Sequence, residues 1–366
     1  MNILYISLLN GVSWVGPTYS VPKQIEAQSE IDNVFWYNLW ETKEISWKDK
    51  PFYHERKDYP KGTIHDLPAP FNKPDIIVVE QFYGYAGNKI VWELMRYGVP
   101  YVIIPRGELT ESAQKRKSWK KRMANLLLFR KFAQRAAAIE YLTEQEKSDS
   151  GDKWNKEGIV IPNGICVPKE VKKQYCQNGI KCLTIGRIDP YHKGLDMLIE
   201  ACVEIKERLQ ESSCVINIYG PGREEKVSEL NEIIKKNELS EFIRIHDGLF
   251  GERKKEELLN SDVFLIASRF EGHPMALIEA LAYGLPCVVT RGSNMKKEVE
   301  QFDAGWTAET NAEDIKQAIL RMLDEKDKIS QKAQNARTLA GMYEWNNIAT
   351  RAHDCYMNIV KNAKIG

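Results

Sequence analysis

Short runs of Val, Ile, Leu and aromatic residues recur along the chain, separated by longer amphipathic stretches. In the first half they are Ile3–Leu8, Val34–Tyr37, Ile76–Val79, Tyr101–Ile104, Ala138–Leu142 and Ile159–Ile161. In the second half they are Cys182–Ile185, Val215–Tyr219, Phe242–Ile245, Val263–Ala267 and Cys287–Val289. Runs that are apolar throughout, rather than at every second position, suit strands buried on both faces. Strands alternating with helices build parallel sheets through crossover helices. Eleven such runs exceed one doubly wound sheet and predict two Rossmann-like α/β domains.

Ile161-Pro162-Asn163-Gly164 closes the first set of runs. From Cys166 to Gly179 the chain is polar and without period, as a linker is, and a fresh strand then begins at Ile180. A helical pattern resumes after Trp345 through Ile348, Tyr356 and Ile359. The predicted domains are 1–165 and 166–344, with a closing helix over about 345–366.

Composition narrows the class. At 366 residues the chain is too long for one ordinary core, and 43% apolar with 28% charged residues is globular rather than disordered. A net charge of +1 argues against a partner held mainly by nucleic-acid phosphates. The seven cysteines lie between Cys166 and Cys355 without a Cys-x-x-Cys pair, so reduced thiols are expected rather than a disulfide framework or a zinc site. The N-terminus lacks the basic start of a signal peptide, and no apolar run reaches membrane-spanning length. A cytoplasmic protein is expected, peripheral to the inner face of the cell membrane at most. With no Asp-x-Asp cluster, neither a metal nor a cofactor is expected.

The densest chemistry lies between Ser268 and Gly284. A buried strand ends at Ala267, a loop carries Glu271, Gly272 and His273, and Pro274 is expected at the first position of a helix that Gly284 stops. This points a helix N-terminus, with Met275 and Ala276 in its first turn, at the carboxyl edge of a parallel sheet, where anionic ligands bind. Glu279 lies on an otherwise apolar helix; ligand hydroxyls could satisfy it, or it could sit on the exposed edge of a packing helix. After the first strand of the second domain, Gly186-Arg187 and Lys193-Gly194 place a planar fork and a flexible cation on one turn, suited to a diphosphate or simply solvated. Gly220, Gly222 and Gly248 follow other strands, where a nucleotide could pass close to backbone. In the first domain Gly16 and Arg106 follow strands at the same edge.

One charge run stands apart. From Lys115 to Arg135 there are nine Lys or Arg residues and no acid, including Lys115, Arg116, Lys117, Lys120, Lys121 and Arg122, with Trp119 and other apolar residues interleaved. A basic helix with an apolar face can lie on an anionic bilayer, or be the solvated face of a docked helix.

These motifs together resemble the glycosyl transferases group 1, the retaining glycosyltransferase family 4. Glu271 and Glu279 match the family's two glutamates, Gly186-Arg187 with Lys193-Gly194 its Gly-Arg and Lys-Gly element, Ile161–Gly164 its Ile-Pro-Asn-Gly signature, and Trp345 its closing tryptophan. Gly16-Pro17-Thr18 and Pro105-Arg106-Gly107 resemble a bacterial surface-polysaccharide subgroup, such as serves capsule synthesis. The resemblance implies a GT-B fold, two doubly wound parallel-sheet domains facing each other across a cleft, with the closing helix returning to the first. It implies a metal-independent hexosyl- or glycosyltransferase that moves a sugar, with retention, from a UDP- or GDP-sugar to a glycan acceptor linked to polyprenyl diphosphate. Arg187 and Lys193 would hold the diphosphate, Glu279 the ribose, Glu271 the transferred sugar, and backbone N–H groups from His273 to Ala276 would complete the donor site. His273 stands where the family usually has Phe, and Arg106 where many members place a His. A nucleotide-sugar epimerase on a similar scaffold and a non-catalytic nucleotide-sugar-binding protein are the competing readings.

Overall fold

The computed structural model describes residues 1–11, 16–43, 45–115 and 118–365. It divides into two compact units, Met1–Gly164 with Trp345–Gly366, and Ile165–Glu344. The first holds a seven-stranded sheet: β1 (Asn2–Ser7), β2 (Asn33–Asn38), β3 (Tyr53–Glu55), β4 (Ile76–Glu80), β5 (Tyr101–Ile104), β6 (Ala138–Tyr141) and β7 (Gly158–Val160). All pairings are parallel, in the order β3-β2-β1-β4-β5-β6-β7. Side chains alternate between two cores, as a pleated strand requires. Leu4, Ile6, Phe35, Ile77 and Val79 pack on one face; Ile3, Tyr5, Trp36, Ile76 and Val78 pack on the other. The helix Trp345–Ile365 joins the second of these cores through Trp345, Ile348, Ala352 and Tyr356.

The second unit holds a six-stranded parallel sheet: β8 (Ile180–Ile185), β9 (Cys214–Tyr219), β10 (Ile243–His246), β11 (Val263–Ile266), β12 (Cys287–Thr290) and β13 (Gly305–Ala308). Its order is β10-β9-β8-β11-β12-β13. Cores on the two faces again divide the strands, with Cys182, Val263 and Leu265 on one and Leu183, Phe264 and Ile266 on the other. Two strands, β3 and β13, were not marked by apolar runs. Both are edge strands of mixed polarity, because a strand with one free edge needs less burial. The seven cysteines carry free thiols.

Gly164 and Trp345 meet in the first unit: a Cβ on Gly164 would stand 2.4 Å from the Trp345 ring. Only glycine lets the backbone lie this close to the indole, which ties the end of the β7 loop to the closing helix.

Charged side chains are also buried beneath the sheet edge. Arg106, at φ 50°, donates from Nε to Glu80 at 2.7 Å and from its other nitrogens to Ser20, Asn163 and Gln24 at 3.2, 3.0 and 2.8 Å. Its side chain is 5% exposed. The Tyr356 hydroxyl donates to Glu140 at 2.6 Å, anchoring the closing helix to β6. Burial raises the Glu140 carboxyl from 4.5 to about 8, and nearby Glu80 pushes the same way.

Since the folded chain keeps a proton that the unfolded chain releases, Glu140 makes the fold less stable as pH rises through the window from about 4.5 to about 8. Glu140→Gln keeps an acceptor for Tyr356 and removes this titration. We expect the substitution to raise the melting temperature of the first domain at pH 8 and leave it nearly unchanged at pH 5. Equal shifts at both pH values, followed by calorimetry, would refute the assignment.

Candidate functional site

Strand order reverses between β8 and β11, and ligands of doubly wound sheets bind outside the carboxyl ends of the strands at such a point. A small crevice of about 20 Å³ lies there, with Gly186, Arg187, Lys193, Ala267 and Ser268 among its lining. Arg187 is exposed at its rim. Gly194 makes the turn possible: at φ +63° it opens the helix Leu195–Glu204, and a Cβ there would stand 2.0 Å from the Ala267 carbonyl oxygen.

The two loops are cross-tied. The Arg269 N–H donates to the His192 carbonyl at 3.0 Å. The Arg269 guanidinium grips Asp196 with two bonds of 2.7 and 2.8 Å and reaches the Tyr191 carbonyl at 2.7 Å. Ser268 donates to the Glu271 carboxylate at 2.6 Å, and Lys193 forms an ion pair with the same oxygen. Burial pushes the Glu271 carboxyl up, but the Lys193 charge and the two hydrogen bonds outweigh it, so Glu271 stays below the ordinary carboxylate range. Beside it, burial lowers the His192 imidazole, whose ring meets Phe270 edge-on at 4.3 Å.

The helix expected after the Glu271 loop spans Met275–Tyr283. Pro274 is its N-cap, at φ −81° and ψ 91°, one residue before the helical position expected for it. Gly284 ends it in the left-handed region at φ 90°, donating to Leu281 while Leu285 donates to Ala280. The His273 ring is buried against Tyr343 at 5.3 Å, while Met275 and Ala276 are half-buried in the first turn. Glu279 forms an ion pair with Lys254 of the helix Gly251–Asn260, so its polar partner is a side chain.

Arg187, Lys193 and Glu271 therefore gather at one sheet edge. Arg106 belongs to the first domain, and its donors are engaged by four internal partners rather than held as a free charge at the strand end. Gly16 begins the helix Gly16–Ser29, next to residues 12–15, which lie outside the described residues, as do Arg116 and Lys117. Gly220 donates to the His246 carbonyl at 3.2 Å; Gly222 pairs with Ile188; Gly248 packs beside Phe250. Among the described residues no group of three or more His, Cys, Asp or Glu is arranged to hold a metal.

Two residues that no motif singled out brace the Glu271 loop. Thr290 donates to the Ser268 carbonyl at 2.7 Å. The Asn294 side-chain amide donates to the carbonyls of Glu271 and Gly272. The only signal in the sequence was their position just beyond the apolar run Cys287–Val289.

Two Rossmann-like parallel-sheet domains of seven and six strands define a protein of the GT-B fold. Residues 169–339, nearly all of the second domain, match the family Glycosyl transferases group 1. The chain is 31% identical over 151 residues to the amylovoran biosynthesis glycosyltransferase AmsK of Erwinia amylovora, covering 39% of this chain and 36% of AmsK. Over 108 residues it is 32% identical to the N,N'-diacetylbacillosaminyl-diphospho-undecaprenol alpha-1,3-N-acetylgalactosaminyltransferase of Campylobacter jejuni, covering 29% of each. The crystal structure of Anabaena HepE in complex with UDP superposes with a TM-score of 0.70 at 14% identity, covering 98% of this chain and 100% of that one. The chain spans less than half the length of the curated relatives it matches.

A side chain at position 194 meets both a positive φ and a backbone oxygen. Gly194→Ala is expected to destabilise the second domain by about 2 kcal/mol or more. A melting temperature equal to that of the parent would show that the turn relaxes freely.

Proposed function

We propose that this protein is a glycosyltransferase of the group 1 family that uses a nucleotide-sugar donor, UDP- before GDP-linked, and a glycan acceptor on polyprenyl diphosphate, for surface-polysaccharide synthesis. The observation that carries this reading is the meeting of Arg187 and Lys193 at the crevice where the second sheet's strand order turns, with Glu271 ion-paired to Lys193 beside it. Support for the donor comes from HepE, whose structure contains UDP. Support for a lipid-linked acceptor comes from the Campylobacter relative, whose name specifies a diphospho-undecaprenol acceptor.

The chemistry follows from the charges. Cleaving a glycosyl–phosphate bond places negative charge on the leaving diphosphate and positive character on the sugar ring. Arg187, Lys193 and the N–H groups opening the helix Met275–Tyr283 stabilise the first. Glu271, kept ionised by Lys193, faces the sugar, and Glu279 exchanges Lys254 for the ribose hydroxyls. We include retention of configuration and independence from metal in this reading, as the family resemblance implies. Arg106 enters it as a positioning residue, acting through Gln24, Ser20 and Asn163.

A thermal-shift panel of UDP-, GDP- and dTDP-sugars tests the donor, because a ligand that binds only the folded state raises apparent stability by mass action. We expect a UDP-sugar to give the largest shift. Lys193→Ala and Glu279→Ala should each lower transfer by about 10²- to 10³-fold with the fold intact. Normal turnover in either variant would overturn the donor-site assignment, and donor-sugar interconversion without an acceptor would establish the epimerase instead.

We further propose that the enzyme works at an anionic membrane surface. Among the described residues no helix is long and apolar enough to cross a membrane. The helix Ser118–Ala124 and the wider turn Asn125–Phe129 expose Trp119 by 68%, Met123 by 51%, Leu126 by 79% and Leu127 by 70%. Lys115, Lys120, Arg122, Arg130 and Lys131 are exposed around them, whereas Lys121 turns inward to the Ala113 carbonyl at 2.6 Å. Apolar side chains ringed by cations match an anionic bilayer better than water. Vesicles of phosphatidylglycerol should sediment the protein at low salt, and Leu126→Ser with Leu127→Ser, or Lys120→Ser with Arg122→Ser, should weaken this. Unchanged sedimentation in both double variants would remove the membrane surface from the reading.

A further inference from the structure

The segment following β12 touches the Glu271 loop at three successive points. The Thr290 hydroxyl holds the Ser268 carbonyl at 2.7 Å. Gly292 lies so close that a Cβ there would stand 2.3 Å from the carbonyl oxygens of both Ser268 and Arg269. Asn294, 5% exposed, donates its side-chain amide to the Glu271 carbonyl and, at 3.2 Å, to the Gly272 carbonyl. Asn294 is itself set at φ 62° and ψ 22°, where a short polar side chain is tolerated, and its N–H bonds to the Arg291 carbonyl at 3.1 Å.

Both carbonyls that Asn294 draws toward itself belong to trans peptides. In such a peptide the C=O and the following N–H point in opposite directions. Binding the carbonyls of Glu271 and Gly272 on one side therefore turns the N–H groups of Gly272 and His273 to the other. The same two bonds fix the backbone from which the Glu271 carboxylate reaches Ser268 and Lys193. One buried amide thus sets the direction of a carboxylate and of two peptide dipoles.

We propose that Asn294 is a positioning residue for sugar transfer, orienting Glu271 and the Gly272 and His273 N–H groups toward the donor sugar without touching it. This rests on the donor-site reading given above. Groups that stabilise charge only as it develops must be held in place beforehand, and a displacement near 1 Å costs about 10²-fold in rate. The diphosphate and ribose contacts assigned to Arg187, Lys193 and Glu279 come from the loop after β8 and the helix Met275–Tyr283, whereas the side chain of Asn294 bonds to the loop between Ala267 and Pro274.

Two substitutions separate the amide from the backbone that carries it. Asn294→Gly keeps the left-handed conformation and deletes the amide. Asn294→Asp keeps the shape and sets a carboxylate against two carbonyl oxygens. In the 366-residue chain we expect kcat to fall about 10- to 100-fold in both, more in the Asp variant. Affinity for UDP alone should stay within about threefold, so that the preference for UDP-sugar over UDP is lost. Wild-type kcat in the Gly variant would overturn the proposal. So would a loss of UDP affinity as large as the loss of kcat, together with a fall in melting temperature, since that is what a purely structural role produces. If the Asp variant does not fold, the Gly variant decides alone. Failure of the unmodified protein to bind or turn over any nucleotide sugar would instead refute the donor-site reading.

Discussion

The ion pair between Lys193 and Glu271 is the constraint around which the second domain's site is arranged. The two residues are 78 positions apart, and they meet because β8 and β11 are neighbours in the sheet. Removing a carboxylate from water is costly unless cations and donors replace the lost solvation. Lys193 and Ser268 do so here, and their effect outweighs burial. Glu271 is thus held in its ionised form by its own surroundings. A free lysine at the same place would rotate among many conformers, and its ordering would have to be met at binding.

That pair holds only if the two loops are held against each other, and the supports come from three adjacent strands. The segment after β8 contributes the Gly194 turn and, in the helix it opens, Asp196; the loop after β11 contributes Arg269 and Glu271; the end of β12 and the segment beyond it contribute Thr290, Gly292 and Asn294. Most of these contacts involve backbone carbonyls. Carbonyl positions follow from the sheet register, which a one-residue slip would invert for every side chain at once. The precision of the site is therefore inherited from β8, β11 and β12, whose buried faces make register strict.

How much of this was legible in the sequence varies with the kind of physics. Strands buried on both faces announce themselves as apolar runs, so the central strands and the change of unit near Gly164 could be read directly. The edge strands β3 and β13 could not, because one-sided burial leaves Tyr53-His54-Glu55 and Gly305-Trp306-Thr307-Ala308 with mixed polarity. Motif spacing found Glu271 and Lys193, since a loop–helix unit fixes which residues face the sheet edge. It could not find Asn294, which acts on backbone atoms: any segment packed under the loop could supply such a donor, and nothing in its own neighbours marks it.

Partner identity is the other thing that spacing does not encode. Arg106 and Arg187 both follow strands and read alike as cations at a carboxyl edge. In the structure Arg187 is exposed at the pocket rim, whereas Arg106 is surrounded by Glu80, Ser20, Gln24 and Asn163, which come from three separate segments of the first domain. An arginine has five donors in a rigid fork, so once buried it must find several acceptors at fixed angles, and finding them makes it a junction rather than a ligand. Glu279 shows the reverse case. A carboxylate on an apolar helix required a polar partner, and Lys254 meets that requirement while leaving the pair nearly a quarter exposed, 25% and 23%. A partly exposed pair is weakly held, so exchanging one partner for another costs little. Burial of the partners, more than the type of residue, separates a junction that holds the fold from a contact that can be exchanged.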